Sequence, residues 1–440
     1  MLEATKSCIK TAFLSTLPCL LLFIFLFSFI TPCASRDRPA RETTIVFKHG
    51  KIAGDQRAFR AIIEEFERRN PGIRVRDEVL PSSTDEQHQF YVINLEGRSS
   101  DFDVISMDVI WVQEFARAGW LRRLDHVFPP RERELFFRGP VDAVTFEGGV
   151  YAVPWYIDAG LLYYRKDLLE RYGFSPPDTW AELVRIAKEI TARETGLYGF
   201  VWQGKQYEGL VCNAMEYMWS NGGGLMADGR LDALREENVR ALAFMHDLIH
   251  EYRVSPELVT TATEETTRHI FGNGRALFMR NWPYAWNIFE REGSAVKGKV
   301  GVKALPSFGG GPGASTLGGW QLGVSRYSKH PAEAERFVRF LTSYSVQKEL
   351  ALTVGYKPTR KALYLDPELR KAQPFIAGLR RVFETARPRP LTPFYMMITQ
   401  VLQPELSSVI SGLKTPEEAL RSIQRHAGRI LEAGEPGRGR

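Results

Sequence analysis

DFDVISMDVI, residues 101–110, decides the architecture. From Phe102 to Ile110 the run is nearly continuous apolar sequence with carboxylates towards its ends. A half-exposed strand alternates polar and apolar residues, whereas a parallel strand covered on both faces reads as an unbroken apolar run. Helices must therefore lie on both sides of the sheet that holds it. Upstream, Thr44-Ile45-Val46-Phe47 is a β-branched and aromatic run ending at Gly50. The spacing of Phe59, Ile62, Ile63 and Phe66 predicts a helix, stopped by Asn70-Pro71-Gly72. Ile73 to Val79 alternates like a strand. This succession of strand and helix predicts an α/β fold with open sheets, in which ligands sit beyond the C-terminal strand ends. Asp108 stands at such an end.

At 440 residues, with 44% hydrophobic and 25% charged residues, the chain is globular and long enough for two or three domains. Its net charge of +6 is scattered without basic runs, which argues against nucleic acid as a partner. Lys6 and Lys10 precede an uncharged stretch, Thr11 to Ser35, around LPCLLLFIFLFSFI, which has the layout of an export signal or a retained anchor. Ile30-Thr31-Pro32-Cys33 is similar to a lipoprotein cleavage box, so Cys33 is a lipidation candidate, although Pro32 replaces the expected small residue. Residues 1–35 are assigned to this signal and 36–42 to a linker. The folded part is expected at the outer face of the cytoplasmic membrane or in the periplasm. Of the four cysteines only Cys212 lies beyond the signal, so no disulfide forms within the folded part.

Beyond residue 330 the texture becomes helical, in PAEAERFVRFLTSYSVQKELAL, PELRKAQPFIAGLRRVFETA and TPEEALRSIQRHAGRIL. Residues 434–440 read as a tail, and PSFGGGPGASTLGG (306–319) as a loop insert.

Motifs that suggest chemistry dissolve on inspection. HDLIH (246–250) has the zinc-protease spacing, but Asp247 replaces the base and no third ligand is near. No metal or cofactor is expected. GGGPGAST (309–316) lacks the lysine of a phosphate loop. Tyr163 and Tyr164 would point to opposite faces of a strand.

Four other segments are harder to explain as core. PWYIDAG (154–160) puts Tyr156 and Asp158 on one side of an extended piece. NWPYAW (281–286) sets Trp282 and Tyr284 around a proline. LGGWQLGV (317–324) lifts Trp320 out of two glycines. FVWQGKQYEGLVC (200–212) adds Trp202, Tyr207 and Glu208. Rings in Gly- or Pro-flanked segments beside carboxylates suit a carbohydrate, whose C–H faces lie on rings while its hydroxyls donate to acids. A hydrogen bond to a charged acceptor nets about 1.5–3 kcal/mol, and a micromolar ligand needs about 8 kcal/mol. That sum requires water to be excluded, as by a cleft closing between lobes.

These segments, with DVISMDVIWVQEFARAGWL, TWAELVRIAKEI, GRALFMRNWPYAW and GYKPTRKALY, resemble in order the solute-binding proteins of carbohydrate ABC importers. This is the maltose-binding family, with the closest likeness to trehalose/maltose-type members. The resemblance implies a two-lobe, type II Venus-flytrap fold with a sugar cleft, a monomer, and delivery of a di- or oligosaccharide to membrane permease subunits without catalysis. By analogy GVYAVPW (149–155), GKVGVKALP (298–306) and VSRYSKHP (324–331) would cross between lobes. Lobe one would then be 43–151 plus 303–327, and lobe two 152–302 plus 328–433. Asp108, Asp158 and Tyr156 would meet sugar hydroxyls, while Trp282, Tyr284 and Trp320 would stack and Gly318 would admit the ligand. Arg360 would donate to ring oxygens. Tyr207 and Glu208 would shape the second lobe's wall, with Trp202 either there or in the core beneath, and His49 would enter from the first loop. The competing expectations are the same fold holding a polyamine or anion, and a glycoside hydrolase using two of Asp108, Asp158 and Glu208.

Overall fold

The structure is a computed structural model and describes residues 42–434 apart from 82, 228, 310 and 312. Cys33 and the signal therefore lie outside the described residues. Nine strands build two sheets: β1 (Thr43–His49), β2 (Ile73–Val79), β3 (Val104–Asp108), β4 (Val153–Ala159), β5 (Leu161–Arg165), β6 (Tyr198–Val201), β7 (Ala276–Asn281), β8 (Val300–Ala304) and β9 (Leu317–Val324). The first sheet runs β2-β1-β3-β9-β4 and the second β8-β5-β7-β6. The quoted run forms β3, parallel to β1 and antiparallel to β9. Its residues from Val104 to Met107 are buried, as an unbroken apolar strand requires. The helix Gln56–Arg69 buries Phe59, Ile62, Ile63 and Phe66 and is capped by Asp55.

Lobe membership follows from the sheets, and the expected boundaries shift. Val153–Ala159 pairs with β9 in the first sheet, so the change of lobe falls at Gly160 and not over 149–155. Val300–Ala304 is still in the second sheet, and the return crossing is the segment 305–316. The helices Pro331–Leu341 and Tyr344–Thr353 stay with the first lobe, since Phe337 packs on Phe47 and Phe66. Tyr364 and Phe383 likewise pack on Phe137. The third crossing is therefore 386–394, some sixty residues beyond the expected 324–331. The helices Tyr395–Ile410 and Pro416–Gly434 then return to the second lobe, where Thr399 bonds Glu208 and Gln424 bonds Ala233.

Local signals hold the second lobe's outer layer. Thr179 caps the helix Trp180–Thr191 with a capping box: its hydroxyl accepts from Glu182 N at 3.2 Å, and Glu182 accepts from Thr179 N at 3.0 Å. Thr179→Ala is expected to lower stability by about 1 kcal/mol, read from urea unfolding. HDLIH lies on the helix Glu236–His250 with its imidazoles stacked and His250 Nε2 against Ile410 O. Among the described residues no cluster of three metal-ligating side chains occurs, and no helix is long and apolar enough to cross a membrane.

Candidate functional site

The site is built on strand register. Trp320 of β9 stands opposite Asp108 of β3 and Tyr156 of β4, and Gly318 stands opposite Asp158. Residues directly opposite share a face, so three strands set a carboxylate, an indole and a phenol in one row. Trp320 is only partly buried and is backed by buried Trp111 at 5.6 Å, edge to face. Gly319 has φ +112°, a conformation that favours glycine, and a Cβ there would stand 2.4 Å from Tyr156 O.

Trp282 enters from the second lobe, one residue past β7, and is also partly exposed. Its ring edge lies 3.1 Å from where a Gly318 Cβ would stand, with Asp158 Cβ at 3.3 Å from that point. Trp282 and Trp320, both partly exposed, thus stand on opposite lobes at the seam, or gap, around Gly318 and Asp158. Gly318→Val would push Trp282 and Asp158 apart, because both limits are tighter than ordinary contact. The expected result is at least about a tenfold loss of ligand affinity by calorimetry, with the unfolding midpoint little changed.

The two acids of this wall differ. Asp108 accepts from Ile110 N at 3.2 Å and from Arg389 Nη2 at 3.1 Å. Asp158 accepts no hydrogen bond among the described residues. Burial pushes its pKa up to about 7; Lys357 opposes the rise, Asp108 adds to it and Arg280 opposes it. Lys357, wholly buried, is pushed down to about 7 by burial and held up by Asp158. An unpaired acceptor thus faces the gap, fit for a donor that a ligand brings. Beside it Tyr156 stacks on Tyr356 at 3.9 Å between centroids.

The second lobe's wall is a wired set. Trp282 Nε1 donates to Glu264 at 3.2 Å, Tyr207 OH to the other Glu264 oxygen at 2.6 Å, and Tyr284 OH to Glu265 at 3.1 Å. Arg280 lies 4.0 Å from the centre of the Trp282 ring. Trp202 is core, its Nε1 bonded to Ser255.

Three expected contacts are committed elsewhere. Arg360 donates through Nε to Thr342 O at 2.8 Å and through Nη2 to Glu132, and covers Phe136, which anchors its guanidinium there. Glu208 is buried and accepts from Arg389 at 2.8 Å, Tyr395 at 2.6 Å and Thr399, which fills its oxygens. His49 is 1% exposed, with Nδ1 against Gly50 O and Nε2 3.7 Å from Asp77. Sequence reasoning missed Arg389, which bridges Asp108 and Glu208, together with Lys357, Tyr356 and Glu264. Lys357 and Tyr356 sit in the quoted GYKPTR, so the segment was visible though not its facing residues.

Two α/β lobes linked by three crossings, with rings and acids on both sides of the gap, are the arrangement of a two-lobe ligand receptor. Residues 50–348 match the bacterial extracellular solute-binding protein family, and the chain belongs to that family. Its members bind solutes and are not enzymes. A probable ABC transporter-binding protein of Deinococcus radiodurans is 39% identical over 365 residues, covering 81% of this chain and 86% of that protein. A maltotriose-binding protein of Pyrococcus abyssi is 25% identical over 383 residues, 85% of this chain and 78% of its own length. Among solved structures, maltose-bound MalE3 of T. maritima is 43% identical with TM-score 0.84, covering 88% of this chain and all of that one. A solute-binding protein of Thermotoga lettingae bound to α-D-tagatose is 27% identical with TM-score 0.80, covering 89% of this chain and all of that one.

Proposed function

We propose that this protein captures a di- or oligosaccharide of the trehalose/maltose type outside the cytoplasmic membrane and passes it to the permease of an ABC importer. The observation that carries this reading is the gap faced by Trp282, Trp320 and the unpaired Asp158. Flat rings take the C–H faces of a sugar, and Asp158 accepts from its hydroxyls. Asp108 and Tyr156 flank the same row, and Tyr284 and Tyr207 shape the far wall. The maltose-bound and maltotriose-binding relatives support the choice of sugar. In this reading the protein acts as a monomer, held at the membrane through Cys33 or its apolar leader, or released after cleavage.

Isothermal titration with maltose, trehalose, maltotriose and tagatose tests it. Tight binding of at least one glucoside, with the sugar recovered unchanged, is the expected result. Absence of heat with all four sugars would overturn the reading, and tagatose alone would move it to monosaccharides. A polyamine that raises the melting temperature where no sugar does would point to the alternative ligand class.

A further inference from the structure

The second lobe's ring, Trp282, rests on a buried ion pair that the ligand does not need to touch. Arg280 at the end of β7 is 1% exposed. Its Nε donates to Glu216 Oε2 at 2.9 Å and its Nη2 to Glu216 Oε1 at 2.5 Å, while its carbon Cζ lies 4.0 Å from the centre of the Trp282 ring. Glu216, on the helix Glu208–Ser220, is equally buried.

The same carboxylate meets the crossings. Glu216 Oε1 accepts from Thr316 N at 3.1 Å, at the end of the second crossing. Gly160, the first crossing, runs so close that a Cβ there would stand 2.0 Å from Glu216 Oε1 and 2.7 Å from Arg280 Nη2. Ser315 Oγ donates to Gly160 O at 2.8 Å, and Arg387 of the third crossing pairs with the same stretch through Ser315 O and Leu317 N. The first two crossings therefore meet at one buried carboxylate, with the third paired to the second beside it, and that carboxylate grips the guanidinium under the ring. A bidentate Arg–carboxylate pair is geometrically fixed, so displacement of one end moves the other.

We propose that Glu216 and Arg280 are positioning residues that couple the orientation of Trp282 to the conformation of the crossing segments. Rotation of the lobes moves Thr316 and Gly160 against Glu216, and Arg280 carries that movement to the ring. The role in affinity rests on the sugar-binding reading above; the coupling itself does not.

The experiment separates the two. The nine tryptophans are replaced by 5-fluorotryptophan, and the Trp282 fluorine resonance is assigned with Trp282→Phe. Without sugar, Glu216→Gln is expected to shift or split the Trp282 resonance although Glu216 does not contact that ring, and to leave the resonance of Trp120, in the first lobe, in place. In maltose titrations Glu216→Gln should weaken binding about tenfold with Trp282 present and less than twofold in a Trp282→Ala background. Should Glu216→Gln fail to fold, Glu216→Leu with Arg280→Met removes the pair without stranding a charge, and the same two readings apply. An unmoved Trp282 resonance in a folded variant overturns the proposal, as do equal affinity losses in both backgrounds. If the wild-type protein binds no maltose, the resonance arm alone decides the coupling, and only the sugar reading fails.

Discussion

Arg389→Ala is expected to lower stability by about 3–5 kcal/mol, the cost of removing one partner of a buried ion pair. Arg389 is 3% exposed and donates through Nη1 to Glu208 at 2.8 Å and through Nη2 to Asp108 at 3.1 Å. Asp108 lies partly open at the gap, whereas Glu208 is buried with only Tyr395 and Thr399 left to hold its charge. The loss therefore falls mainly on Glu208. Burial already raises its pKa above the ordinary carboxylate value, and Arg389 is the first influence opposing that rise. Without the arginine the folded pKa climbs further. The native state then binds more protons than the unfolded chain from the ordinary Glu pKa upward, so stability falls as pH rises through that window. The deficit should be larger at pH 8 than at pH 5, read from urea unfolding at both. Arg389→Lys should recover part of it, because an ammonium keeps the charge but cannot fork to two carboxylates. Wild-type stability for Arg389→Ala at pH 8 would show that Glu208 does not depend on this bridge.

Arg389 also marks where the sequence stops being legible. It sits in RPRPLTP, between helices, and its partners are 281 and 181 residues away. No local period signals such a pairing. The first sheet was readable because a doubly covered strand leaves no polar alternation, as in Val104–Asp108. Trp282 and Trp320 stand out in the sequence because each lies beside Pro or Gly, and in the structure both are only partly buried. The crossings were misplaced for a physical reason. Only Gly160 separates β4 from β5, and both strands are apolar, so the change of sheet leaves no trace in composition. The helix Tyr395–Ile410 was hidden by Pro404, which ordinarily ends a helix at the preceding residue. In GYKPTR it is Tyr356 and Lys357, not Arg360, that lie beside Tyr156 and Asp158. Ile157 N donates to Lys357 O at 2.9 Å, which lays this stretch along β4 with Lys357 beside Asp158, while Arg360 turns inward.

Asp158→Asn is expected to weaken sugar binding about tenfold or more and, with it, to abolish the pH dependence of affinity between pH 6 and 8. The magnitude is the difference between a hydrogen bond to a charged acceptor, about 1.5–3 kcal/mol, and a neutral one of about 1 kcal/mol, with added loss where the amide turns its donor side to the ligand. The pH argument follows from the carboxyl's raised pKa of about 7. In the proposed reading a sugar hydroxyl donates to the ionised form, so binding holds that form and releases the proton. Affinity approaches its full value by about pH 8 and falls as pH drops through the pKa, roughly fivefold between pH 7 and 6, where only about a tenth of the carboxyl is ionised. The groups around it do not reverse the sign. Lys357, also poised near 7, gains charge as pH falls and favours ionised Asp158, which softens the decline, and Arg280 stays charged. Calorimetry of both proteins at pH 6, 7 and 8 reads the effect. A wild-type affinity that is flat across this range, or an Asn variant that keeps the slope, would remove Asp158 as the sugar's acceptor.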